Sequence, residues 1–186
     1  MKKTKINKQI IIETAIMLAD IKGYHNVTLK DIAENLEIKT PSLYNHLNGL
    51  EELYDLLAYE GLRQLLKTLT NSIIGLCGRE ALLSMGAAYR TFACNSPGLY
   101  SATQRVPVGE NESNKELSKS IVDLIVKLIL VYKFTDQQNI HIVRTIRSYL
   151  HGFALLERQD SFGLPISIND SFEIGLNCIL DGLKLF

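Results

Sequence analysis

The chain has 186 residues, 46% of them hydrophobic and 22% charged, with a formal net charge of zero. That is enough apolar material for one domain or two small ones, and the balanced charge excludes a general nucleic-acid sponge. Nowhere do ~20 apolar residues run uninterrupted, which excludes a transmembrane helix, and Cys77, Cys94 and Cys178 are too widely spaced for a zinc knuckle or a disulfide framework.

In chain order, the first feature is a basic arm. Lys2, Lys3, Lys5 and Lys8 stand together with no acid among them, which suits attraction to phosphate. The apolar stretch that follows imitates a signal peptide, but Glu13 and Asp20 interrupt it and no small-residue cleavage site follows, so export is not expected. The three cysteines then read as buried, reduced thiols of a cytoplasmic protein, with a redox switch as the competing reading. Residues 7–22 predict a helix with Ile11, Ala15 and Leu18 on one stripe, ended by Gly23.

Residues 28–47 read as two short helices joined by a tight turn. Thr28 caps the first, with Asp31 as its capping-box partner. Leu29, Ile32, Ala33 and Leu36 give it one apolar face, and the pattern breaks at Glu37-Ile38-Lys39. Thr40 is expected to cap the second, with Pro41 at its first position. Leu43 and Leu47 face inward, leaving Ser42, Asn45 and His46 outside with Tyr44 beside them. The spacing matches a helix-turn-helix, and hydroxyls, an amide and an imidazole can reach phosphates and base edges. An ordinary helical hairpin with a polar outer face is the competing structural reading, and the lysine arm weighs against it.

Asn48-Gly49 is a turn, with Asn48 expected to cap a long helix over about 50–74 whose inner face carries Leu50, Leu53, Tyr54 and Leu57. Gly75 to Gly78 breaks the pattern. A helix over about 79–95 carries Leu82, Met85, Tyr89 and Phe92, and Pro97-Gly98 stops it. Residues 99–103 predict one or two helical turns, and 105–113 a polar loop. Ser113 and Glu116 resemble a second capping box, opening an amphipathic helix through Leu117, Ile121, Leu124, Leu128 and Tyr132. Asp136 opens the next helix, which runs to about 158 with Ile142, Ile146, Tyr149 and Phe153 on one face. After a loop over 161–167, a final helix over about 169–185 buries Phe172, Leu176, Ile179 and Leu183. No segment alternates as a strand does, so the fold class is all-α with about nine helices.

Catalytic chemistry is missing from the pattern. There is no HExxH, Glu-x-x-His, GxSxG or P-loop, and the histidines at 25, 46, 141 and 151 have no cysteine near them in sequence. No catalytic residue, metal site or cofactor is expected.

The order of basic arm, helix, Thr-x-x-x-Ile-Ala, short turn, Thr-Pro-Ser-Leu-Tyr-Asn-His-Leu and long helix resembles the TetR/AcrR family of one-component bacterial repressors. The match is specific over residues 8–57, above all at Thr28, Ile32, Ala33, Leu43, Tyr44 and His46. The remainder resembles the WHG-type branch. Its carriers are Ala88-Tyr89-Arg90, Phe92-Ala93, Pro97-Gly98-Leu99-Tyr100, His151-Gly152-Phe153, Leu156-Glu157 and Phe162-Gly163.

The resemblance implies a three-helix helix-turn-helix DNA-binding domain over residues 1–50 and a helical ligand-binding and dimerisation domain over 51–186. It implies a non-enzymatic regulator, a repressor released from double-stranded DNA with a palindromic operator by a small apolar or amphipathic effector. It implies a homodimer through the last two long helices, with no membrane partner. Such a dimer reads half-sites one helical turn apart.

Position by position, the resemblance makes Thr28, Tyr44 and His46 phosphate contacts. Thr40, Ser42 and Asn45 fall to base reading, Leu43 is counted among the DNA-binding residues, and Lys5, Lys30 and Lys39 fall to backbone attraction. A capping or packing role competes for His46. Two departures stand out. A glycine is usual where this chain has Glu37, and a left-handed glutamate there costs about 1 kcal/mol, so the turn is expected to be drawn differently. A lysine is common where this chain has Leu50, which removes one phosphate contact.

For the effector, Met85, Tyr89, Phe92, Tyr100, Tyr149 and Phe153 form an aromatic-rich set at helical spacing, with Arg147 as a polar handle. Core packing competes for each of them. Arg144, Arg147 and His151 share a helix face and either meet an anion or pair with acids such as Asp123 or Glu116. An all-α enzyme with a C-terminal pocket, a helical protein-binding adaptor, and an activator or ligand-independent regulator of the same fold are the alternative functions.

Overall fold

The computed structural model describes residues 6–104 and 111–185. Lys2, Lys3, Lys5 and most of the predicted 105–113 loop lie outside the described residues. Among the described residues there is no strand, and no helix is long and apolar enough to cross a membrane. Eight α-helices and one short 3-10 helix at Thr40–Asn45 carry the fold of the described residues, with single 3-10 turns elsewhere. The helices are α1 (Lys8–Lys22), α2 (Leu29–Asn35), α3 (Leu50–Ser72), α4 (Gly78–Asn95), α5 (Pro97–Thr103), α6 (Glu112–Ile129), α7 (Asp136–Arg158) and α8 (Ile168–Gly182). They fall into two compact units, one drawn from Met1–Gln64 and Ser96–Ser118, the other from Leu65–Asn95 and Lys119–Phe186. Both α3 and α6 contribute to each.

The first unit packs α1, α2, the 3-10 helix, the start of α3 and α5 around one core. Ile11, Ala15, Ala19, Val27, Ile32, Ala33, Leu43, Leu47, Leu53 and Leu57 are all buried there. On α1 the buried line runs through Thr14 and Ala19, not Leu18, which is only half-buried. Asn7 caps α1 by accepting from the Ile10 amide at 2.9 Å, and Gly23 ends it at a φ of 87°. Pro97 does more than stop α4. It opens α5, whose Gly98 lies against the last turns of α1 and donates its amide to Asp20 at 2.7 Å.

The second unit packs α4 against α7 and α8. Small residues let the backbones approach. A Cβ on Gly86 would stand 2.5 Å from Leu176, and one on Gly175 would stand 2.8 Å from the Tyr149 ring. Arg79 ties α4 to α8 through Asp181 at 2.8 Å and Asn177 at 2.6 Å. Arg90 ties α4 to α7 through a bidentate pair with Glu157 at 2.6 and 2.5 Å, its guanidinium over the rings of Phe153 and Phe172.

Several predicted caps move by a residue or two. Asn111, not Ser113, accepts from the amides that start α6. Thr135, with Gln138 as its capping-box partner, opens α7, so Asp136 is the first residue inside. Asn48 does not cap α3. Both its backbone and side-chain N–H groups donate to Glu52 instead.

Candidate nucleic-acid interface

The helix-turn-helix is built from both ends inward. At its start the capping box is closed: the Thr28 amide donates to Asp31 Oδ2 at 2.8 Å, and the Asp31 amide donates to Thr28 Oγ1 at 3.2 Å. Lys22 at the end of α1 pairs with the same carboxylate. Its ammonium, together with the Thr28 donors, holds Asp31 down at about 2. The Thr28 hydroxyl also donates to Asp31. A hydroxyl has one proton, so while this box is closed Thr28 cannot also donate to a phosphate.

The turn closes through a left-handed glutamate. Glu37 takes a φ of 54°, and the Ile38 amide donates back to Ala33 at 2.9 Å. The strain is tolerated because that bond and the half-buried Ile38 fix the chain on both sides.

The recognition element is a 3-10 helix of six residues, not an α-helix. Lys39 occupies the cap position, with no side-chain cap bond, and Thr40 is already inside, which corrects the expectation that Thr40 caps it. The Ser42 amide donates to the Lys39 carbonyl and the His46 amide to that of Leu43, each at 2.8 Å and three residues apart. Pro41 has no N–H to give, and a segment this short cannot fill an i→i−4 ladder. Leu43, at 0% exposure, cannot touch DNA. With Leu47 it anchors the element in the core. Tyr44 is 59% exposed, so its ring is not a core ring. Ser42, Asn45 and Lys39 are exposed, and Thr40 and His46 half-buried. None of these six side chains makes a hydrogen bond with another described residue. The result is a rigidly seated row of unanswered donors and acceptors.

Around it, the lysines differ. Lys30 lies 3.7 Å from Glu34 with both side chains well exposed, a weak pair. Lys8 is bound to Glu52 at 2.6 Å and so leaves the basic arm. Lys39 has no acidic partner among the described residues. Leu50, whose apolar side chain was read as removing one phosphate contact, packs half-buried against the core. The Glu52 and Lys22 contacts were invisible in the sequence, because they join residues far apart along it.

The expected effector set is divided. Met85, Tyr89 and Phe92 are buried along α4, and Tyr149 and Phe153 are half-buried on α7. Arg147 and Arg144 are exposed. Tyr100 belongs to the first unit. Two cavities of the second unit are lined by other residues. One, of about 440 Å³ between α7 and α8, is bounded by His141, Ile142, Thr145, Cys178, Ile179 and Leu183. The other, of about 250 Å³, lies beside Phe162 and Leu164. The thiols are not all buried: Cys77 and Cys178 are exposed. Only Cys94 is half-buried, its thiol pushed up by burial and by Glu157, to which it donates at 3.6 Å. Among the described residues no cluster of three His, Cys, Asp or Glu could hold a metal.

Residues 11–57 match the family described as "Bacterial regulatory proteins, tetR family", and residues 82–179 match "Tetracyclin repressor-like, C-terminal domain". The chain is 31% identical to the uncharacterized HTH-type transcriptional regulator YobS of Bacillus subtilis, over 97% of this chain and 94% of that one. It is 47% identical over 47 residues, 25% of each chain, to IcaR of Staphylococcus epidermidis, a negative transcriptional regulator of the biofilm operon icaADBC. A solved structure of a protein of unknown function from Rhodococcus sp. RHA1 shares the fold, with a TM-score of 0.84 at 15% identity, covering 99% of this chain and 100% of that one.

Proposed function

This chain belongs to the tetR family of bacterial regulatory proteins, DNA-binding transcriptional regulators and not enzymes, and on that premise we propose that it is a ligand-released repressor acting in the cytoplasm as a homodimer on a palindromic operator. The observation that carries the reading is the row Lys39 to His46, whose outward polar groups have no internal partner while Leu43 and Leu47 fix their backbone in the core. Tyr44 and His46 serve phosphate oxygens. Ser42 and Asn45, with Thr40, serve base edges, and Lys30 and Lys39 add backbone attraction. Thr28 joins them only when it gives up Asp31.

The dimer forms through α7 and α8. Ile174 is 64% exposed on α8, and the cavity between these helices opens beside exposed Cys178. A second copy laying the same two helices against this face covers both, as a two-fold interface requires. Repression is supported by the likeness of the helix-turn-helix segment to the negative regulator IcaR. The effector is apolar or amphipathic and is taken up by the second unit, among Met85, Tyr89, Phe92, Tyr149 and Phe153 with Arg147.

The test is selection of DNA from a random duplex pool by the purified protein, followed by binding at two salt concentrations. An enriched palindrome with half-sites about one helical turn apart is expected. Enrichment of an asymmetric site, or weak and salt-independent binding without enrichment, overturns the reading. Ile174→Glu separates the dimer claim: sedimentation should then give a monomer.

A further inference from the structure

The recognition helix has no side-chain cap at its entry, and beyond it the chain must turn sharply through Gly49, at a φ of 125°, to enter α3. One side chain closes that exit. Glu52, in the first turn of α3, accepts from the Asn48 amide at 2.7 Å and from Asn48 Nδ2 at 2.8 Å through one oxygen. Its other oxygen accepts from Lys8 Nζ at 2.6 Å. Lys8 is the first residue of α1, directly after the chain's N-terminal lysines. A single carboxylate therefore joins the exit of the recognition helix, the first residue of α1 and the head of the long connecting helix. All three lie in the first unit.

We propose that Glu52 is a positioning residue for DNA recognition, fixing through Asn48 and Lys8 where the recognition helix and the start of α1 stand on α3. It touches no DNA. Charge-assisted bonds of this kind are the strong ones, and the two partners compete for nothing, since each has its own oxygen. The arrangement also gives α3 a direct grip on the recognition helix: any shift of its first turn moves Asn48, and Leu47 and His46 precede Asn48 immediately.

The sign of one substitution separates positioning from charge. Glu52 is an acid beside a polyanion-binding surface. If only charge mattered, Glu52→Ala and Glu52→Gln would both bind DNA more tightly. If Glu52 positions, Glu52→Ala binds the duplex preferred by the wild type about tenfold more weakly, while its binding to an unrelated duplex is unchanged or tighter. Glu52→Gln keeps a carbonyl acceptor for Asn48 and retains the wild-type preference between the two duplexes. A general loss of folding would instead depress both duplexes together.

Amide exchange of Asn48 reads the grip without DNA and so separates this inference from the assignment of the recognition surface, on which it rests. Slow exchange is expected in the wild type and in Glu52→Gln, and faster exchange in Glu52→Ala. Equal exchange in wild type and Glu52→Ala overturns the grip. Faster exchange with undiminished preference in Glu52→Ala overturns its role in recognition, as does equal weakening on both duplexes.

Discussion

Gly98→Ala should destabilise the DNA-binding unit more than its size suggests. A Cβ at residue 98 would stand 2.6 Å from both the Cβ and the carbonyl oxygen of Ala19, and closer still to the carbonyl carbon. Carbon atoms rest about 3.5–4.0 Å apart, so α5 must retreat by roughly 1 Å. Two of the three obstructing atoms are backbone of α1, and Ala19 is itself buried, so α1 cannot yield. The retreat stretches the 2.7 Å bond from the Gly98 amide to Asp20 and lifts Leu99 and Tyr100 from the sites they fill. Overpacking of this kind costs about 1–3 kcal/mol, and a weakened bond to a carboxylate adds up to about another 1.5. A loss of roughly 3 kcal/mol in a chain of this length lowers Tm by about 6–12 °C. Calorimetry on the single mutant and on Ala19→Gly/Gly98→Ala tests the argument. The second substitution removes only the side-chain obstacle, so it should recover less than half of the loss. A Tm within a degree of wild type, or full recovery in the double mutant, would refute the backbone clash.

Four further outcomes follow from the same geometry. Tyr44→Phe removes one outward hydroxyl and should weaken binding to every duplex by a similar factor, about tenfold per protomer at most, in titrations on preferred and unrelated DNA. Ser42→Ala and Asn45→Ala should instead change which duplex is preferred in a repeated selection, and unaltered preference in both would remove them from the base-reading group. Glu37→Gly relieves a left-handed φ of 54° and should raise stability by up to about 1 kcal/mol in denaturant melts, whereas a loss would mean that the glutamate side chain holds the turn. Because Lys22 and Thr28 hold Asp31 down at about 2, its contribution is fully present above the unfolded value near ~3.9 and is lost as pH falls through about 2. The Tm gap between wild type and Asp31→Asn should therefore be constant from pH 7 to about 4 and close between about 4 and 2, and a gap independent of pH would rule out the ion pair.

What the sequence displayed, it displayed through local rules. The Thr28–Asp31 box, the α1 stop at Gly23 and the inward Leu43 and Leu47 each depend on residues within a turn of one another, and each stands where periodicity and capping put it. Caps chosen among neighbouring polar residues were less legible. Asn111 and Thr135 took the positions read for Ser113 and Asp136, since a shift of one or two residues changes the pattern little but decides which side chain faces the open amides. The left-handed Glu37 could not be read from intrinsic preference, because tertiary packing overrides a penalty of about 1 kcal/mol. The family motifs in the C-terminal half showed that Arg90, Phe153 and Glu157 matter, but not that they meet. Only the crossing of α4 with α7 places the guanidinium on the rings and on the carboxylate.

A chain of zero net charge can hold DNA because attraction depends on which cations are left unanswered, not on how many there are. Residues 1–50 carry seven lysines and five acids. Of the described lysines, Lys8 and Lys22 are committed to Glu52 and Asp31 and work as internal fasteners. Asp20 is likewise turned to the Gly98 amide. Lys30 keeps most of its charge for solvent, since an exposed pair at 3.7 Å is screened, and Lys39 stands beside the recognition helix without an acid. Lys30 and Lys39, each worth about 0.9 in the slope of log affinity against log salt, would give two protomers on one site a slope of about −3.6 from these residues. Removing Lys2, Lys3 and Lys5 together and measuring the slope again gives the share that those three lysines add to this pair.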